Sequence, residues 1–138
     1  MDKEKIIGLL NVDLSGELGA IFQYMWHHFE AKGLESPAVI GMFRAAALDE
    51  MRHAEMLSER INQLGGSATM EQSEIKRGGS LEEMIKHDLE GELEGIEDYR
   101  AHIKTCEEEG DYTTRALLES ILPDEERHAD EWSTLLEK

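Results

Sequence analysis

Glu50-Met-Arg-His53 and Glu125-Glu-Arg-His128 each set a carboxylate and an imidazole three residues apart. On a helix that spacing puts both side chains on one face, so each pair aims one oxygen and one nitrogen at the same point. An offset of 75 residues carries Glu17 to Glu92, Tyr24 to Tyr99, Glu50 to Glu125 and His53 to His128. Glu17 to Glu50 and Glu92 to Glu125 are both 33 residues. The chain therefore reads as two related helical hairpins whose pseudo-twofold axis brings two equivalent half-sites together. Four carboxylates buried together are costly and take up protons unless cations neutralise them. The apolar seams that carry these glutamates hold no lysine or arginine, so the positive charge must come from outside. Two divalent cations balance four carboxylates, and two neutral imidazoles complete the shell without adding charge. Mixed oxygen and nitrogen ligands suit iron or manganese, and zinc also binds them.

These residues require long helices to hold them. Four segments with helical periodicity lie between the glycines and the two prolines. The first spans about Asp2 to Lys32 and is expected to stop at Lys32-Gly33, a cation followed by a left-handed glycine. Ser36-Pro37 reads as the N-cap and first position of the second, which runs to about Leu64. A polar connection follows from Gly65 to Gly79, and Ser80-Leu-Glu-Glu83 reads as a capping box. The third helix runs to about Glu109 and Gly110. Asp111 then caps a fourth that runs nearly to Lys138, with Pro123 expected to kink it or force a bulge. The short loops imply two antiparallel hairpins. About fifteen residues at ~3.3 Å each let the middle connection cross the length of the bundle. The expected fold is an all-α four-helix bundle with a long crossover, one domain over residues 1–138.

One glutamate from each of two helices, plus a Glu-x-x-His from each of the other two, is the ligand pattern of ferritin-like di-iron or di-manganese proteins. The sequence resembles bacterioferritin within that superfamily from about Leu9 to Trp132. Leu18-Gly-Ala-Ile-Phe-Gln-Tyr24, Asp49-Glu-Met-Arg-His-Ala54, Asp88-Leu-Glu-Gly-Glu92-Leu and Asp124-Glu-Glu-Arg-His128 carry the resemblance. It implies two iron ions per chain, with Glu17, His53, Glu92 and His128 as terminal ligands and Glu50 and Glu125 as bridges. It implies a ferroxidase that oxidises Fe²⁺ with dioxygen or hydrogen peroxide and stores ferric mineral. Tyr24 falls beside the di-iron centre as an electron or hydrogen-bond donor, and Tyr99 is its repeat mate. Met51 should point away from the metals. By resemblance it binds haem with its symmetry mate across a homodimer interface. The chain ends ten residues after His128, where the family continues into a fifth helix. A dimer is therefore expected, and the family's larger shell would lack its fourfold channels. His27, His87 and His102 match no ligand position and read as surface or interface residues.

The alternative is a rubrerythrin-like di-iron peroxidase that removes oxidant without storing iron. Such proteins usually carry a further glutamate where Gly95 stands, and often a four-cysteine rubredoxin domain, whereas this chain has one cysteine. A formal net charge of −17 disfavours nucleic acid and anionic membrane as partners. No apolar run approaches the ~18 residues that span a bilayer. A lone cysteine, Cys106, and an N-terminus without a signal-like apolar core point to the cytoplasm.

Overall fold

The computed structural model describes residues 1–137. Four long helices make up most of it: α1 (Lys3–Glu30), α2 (Ile40–Gln63), α3 (Leu81–Glu109) and α4 (Tyr112–Leu136). Three of the starts are capped by side chains. Asp2 accepts from the Lys5 N–H, Asp111 accepts from that of Thr114, and Ser80 and Glu83 form the reciprocal capping box. Gly110 ends α3 at φ 75°, a left-handed conformation that glycine adopts without penalty.

Two local expectations are corrected. α1 stops at Glu30, because Ala31 turns to extended backbone, and Gly33 occupies the following turn at φ 105°. Ser36 is not an N-cap: Ser36–Ala38 is a single 3₁₀ turn, and the Ser36 hydroxyl donates to the Gly33 carbonyl. α4 runs as one helix through Pro123. Proline lacks the N–H that would bond the Glu119 carbonyl, and that carbonyl lies on an exposed stretch open to solvent.

α1 packs chiefly on α2, and α3 on α4; α1–α3 and α2–α4 contacts join the two hairpins. The crossover runs alongside α1 and is pinned to it repeatedly. Thr69 donates its N–H to the Asn11 side chain, Ser73 to the Ser15 carbonyl and Lys76 to the Gln23 side chain. Gly19 is required for this close approach, since an added Cβ would lie 2.0 Å from the Ser73 hydroxyl.

Two apolar clusters fill the bundle. One holds Leu10, Leu14, Leu57, Ile61, Leu118 and Ile121; the other holds Phe43, Ala46, Met84, Ile85 and Trp132. A fully buried leucine contributes about 1.5–3 kcal/mol. The helices can thus carry a polar layer between the clusters, on the same seams. Among the described residues no helix is long and apolar enough to cross a membrane.

Candidate metal centre

Glu17 on α1, Glu50 and His53 on α2, Glu92 on α3, and Glu125 and His128 on α4 converge on the bundle axis. All six are at most 3% exposed. Their ligand-type atoms form two overlapping groups, Glu17–Glu50–His53–Glu125 and Glu50–Glu92–Glu125–His128. Within each group the atoms lie inside 4.8 Å of one another, and Glu50 and Glu125 belong to both. The repeat-related spacing seen in the sequence has become a twofold arrangement in space.

Each histidine is oriented by an aspartate from the opposite hairpin. His53 Nε2 donates to Asp124 at 2.7 Å, and His128 Nε2 donates to Asp49 at 2.8 Å. Those bonds hold each ring with Nδ1 facing the carboxylates, His128 Nδ1 at 3.2 Å from Glu92. His53 Nδ1 lies 2.8 Å from Glu125, 3.1 Å from Glu50 and 3.5 Å from Glu17, without the geometry of a hydrogen bond to any. Arg52 reaches Asp124 at 2.9 Å and Arg127 reaches Asp49 at 3.0 Å, which fixes both aspartates on the α2–α4 side.

The phenols cross between hairpins in the same manner. Tyr24 donates to Glu92, and Tyr99 donates to Glu17 at 2.5 Å. Each tyrosine hydroxyl occupies one carboxylate oxygen and leaves the other free. Glu17 Oε2, Glu50 Oε1, Glu92 Oε2, Glu125 Oε1 and His53 Nδ1 are buried without any hydrogen-bond partner. Burial pushes Glu17, Glu92 and Glu125 up to about 7, helped at Glu17 by the charge of Glu125 and at Glu125 by that of Glu92. Burial and the charges of Glu17 and Glu125 raise Glu50 well above the usual carboxylate range. Burial disfavours charge on His53, but Glu125 and Glu17 outweigh it and push the imidazole up to about 10. In the absence of a cation these groups hold protons; a pair of divalent ions would replace them.

Two buried pairs escaped the sequence reading. His27 is fully buried rather than at the surface; it donates from Nδ1 to Asp88 at 2.7 Å, and its Nε2 faces the Lys76 and Arg77 carbonyls. Gln23 also donates to Asp88. His102 pairs with Asp13 at 2.8 Å and keeps partial exposure. The same 75-residue offset relates Asp13 to Asp88 and His27 to His102, so the repeat was the signal that could have found them. His87 is partly exposed, 3.8 Å from Glu90 and remote in role from the converging side chains. Met51 lies on the outer side of α2, 55% exposed, facing away from the glutamates as expected.

A ferritin-like domain model matches residues 7–138. The chain is 35% identical to a bacterioferritin of Desulfovibrio desulfuricans, over 91% of this chain and 71% of that one. It is 37% identical to a bacterioferritin of Streptomyces coelicolor, over 96% and 80%. The chain belongs to the bacterioferritin family. Among solved structures, a ferritin-like, diiron-carboxylate protein from Bacillus anthracis superposes with a TM-score of 0.95 over 99% of both chains, at 28% identity. The family's ligand pattern thus meets, in this chain, a set of buried donor atoms that the protein itself leaves unpaired.

Proposed function

We propose that this chain is a bacterioferritin-like ferroxidase acting in the cytoplasm, with Fe²⁺ as substrate and dioxygen or hydrogen peroxide as oxidant, in iron storage and detoxification. Glu17 with His53 and Glu92 with His128 are the terminal ligands, and Glu50 and Glu125 the bridges. The observation that carries this reading is the set of buried glutamate and histidine atoms without partners, gathered in two groups that share two carboxylates. Two divalent ions fit their number, their charge and their chemistry. Bound iron supplies the one-electron steps between Fe²⁺ and Fe³⁺.

The protein's own contribution is positional. Asp124 and Asp49 fix the histidine tautomers. Arg52 and Arg127 hold those aspartates in turn. Tyr24 and Tyr99 restrict Glu92 and Glu17 to one free oxygen each, and Tyr24 stands close enough to the centre to donate an electron or a proton. The protons displaced from the carboxylates leave as iron binds. Met51, exposed on α2, is assigned to a homodimer contact that shares haem with its symmetry mate. Larger shells are built from such dimers.

Rapid mixing of the iron-free chain with about two Fe²⁺ per chain, then oxygen or peroxide in separate runs, tests the activity. Oxidation faster than in buffer is expected with at least one oxidant, and Glu50→Ala and Glu125→Ala should abolish two-ion binding. No acceleration with either oxidant, or undiminished two-ion binding in both variants, would refute the assignment.

A further inference from the structure

The dinuclear centre has two sides, and they differ. On the α2–α4 side, Arg52–Asp124–His53 and Arg127–Asp49–His128 close it with paired charges. On the α1–α3 side, a cavity of about 630 Å³ reaches from solvent to Glu17, Glu92, Glu50 and Glu125.

The walls of this cavity contain glycines in helix interiors. Gly16 on α1, and Gly91 and Gly95 on α3, line it, and Gly16 and Gly91 are repeat mates. Glycine is the poorest helix former after proline, so each weakens its helix. Packing does not explain them, since a Cβ added at any of the three meets nothing within 4 Å. Gly19, by contrast, is needed for the crossover. What Gly16, Gly91 and Gly95 preserve is open space.

Charge identifies what the space is for. Asp13, Glu71, Glu74, Glu94 and Asp98 line the approach. Lys76, the one lysine or arginine among the described lining residues, extends to Glu90 at 3.4 Å. At the inner end, Glu17 Oε2 and Glu92 Oε2 are buried and unpartnered. An acidic cleft with low-dielectric walls concentrates cations.

We propose that the glycine-walled cleft between α1 and α3 is the port through which hydrated divalent cations reach the centre, with Gly16, Gly91 and Gly95 holding it open and Glu94 and Asp98 attracting the ion. This rests on the dinuclear reading above. Two-ion capacity belongs to the six ligands; the speed of filling belongs to the port.

Stopped-flow mixing of the metal-free chain with excess Co²⁺, followed by its visible absorption, separates the two. The Gly16→Leu/Gly91→Leu chain should fill about tenfold more slowly or worse, yet reach the same two ions per chain after long incubation. Glu94→Gln/Asp98→Asn should also slow filling and flatten its dependence on ionic strength, and it leaves the helix backbone unaltered should the leucine variant fold poorly. Gly41→Leu, on α2 and outside the cavity, should fill at the unaltered rate. Gly91→Ala should raise the melting temperature, since its glycine serves no packing. Unaltered filling rates in both port variants would overturn the port while leaving the centre standing. An unaltered chain that takes up no Co²⁺ would remove the dinuclear reading, and the port with it.

Discussion

The indole N–H of Trp132 donates to the phenol oxygen of Tyr24 at 3.0 Å. The repeat mate of Trp132 is Leu57, which has no such donor, so Tyr99 holds Glu17 without this support. The two halves of the site are therefore alike in ligands and unlike in what stands behind them. Tyr24→Phe strips a partner from both Glu92 and Trp132, whereas Tyr99→Phe strips one from Glu17 alone. Leaving a buried donor unsatisfied costs about 1–3 kcal/mol, so Tyr24→Phe should melt lower than Tyr99→Phe. Calorimetric melting of the metal-free variants checks this, and equal or reversed melting points would contradict it.

The orienting aspartates offer a second test. Asp124→Asn weakens the hold on His53, and Asp49→Asn that on His128. Loss of such a partner typically lowers metal affinity ~10–100-fold. Titration calorimetry with Mn²⁺ should find one of the two ions weakened in each single variant and both in the double. Unchanged affinity in the double variant would show that the aspartates serve only the Arg52 and Arg127 pairs.

Metal-free stability and the increment that metal adds to it should depend on pH in opposite senses. Glu17, Glu92 and Glu125 rise from 4.5 to about 7 on folding, and His53 from 6.5 to about 10. Groups raised in the folded state bind more protons there than in the unfolded chain. Their contribution is complete below pH 4.5 for the carboxylates and below 6.5 for His53, and it is lost as pH rises through about 7 and about 10. Asp49, Asp124 and Asp111 are lowered, so their contribution is present across this interval and is lost only in more acid solution. The metal-free chain should lose melting temperature from pH 5 to 9. Metal binding requires the deprotonated ligands, so the increment from added Mn²⁺ should grow over the same interval. A metal-free melting point that rises with pH, or a metal increment that shrinks, would break the linkage.

Met51 gives a prediction independent of the centre. Haem added to the metal-free protein should be taken up at one per two chains with a low-spin spectrum, and Met51→Leu should abolish it. A chain that binds no haem would leave Met51 as a packing residue at most.

The cluster was legible in the sequence because its carboxylates and imidazoles obey local rules. Glu-x-x-His declares a shared helix face, and the 75-residue offset declares the second copy. Ser80 and Gly110 were legible for the same reason, since a cap is decided within a turn. His27 was not, because its partners Asp88 and the Lys76 and Arg77 carbonyls lie far along the chain and meet it only once the crossover is laid down. Ser36 misled because a serine before proline suits a 3₁₀ turn as well as an α-helical start. The glycines of the α1–α3 cleft had no reading in one dimension, where Gly16 and Gly19 look alike.

Four orienting bonds at the centre run from one hairpin to the other: His128 to Asp49, His53 to Asp124, Tyr24 to Glu92 and Tyr99 to Glu17. Each hairpin relies on the other to orient its histidine and its tyrosine-held glutamate. A chain cut within the crossover would yield two fragments, each with carboxylates to bury and no partner to set them. Such fragments could regain the centre only by finding each other, so a filled centre is also a record that both halves have docked in register.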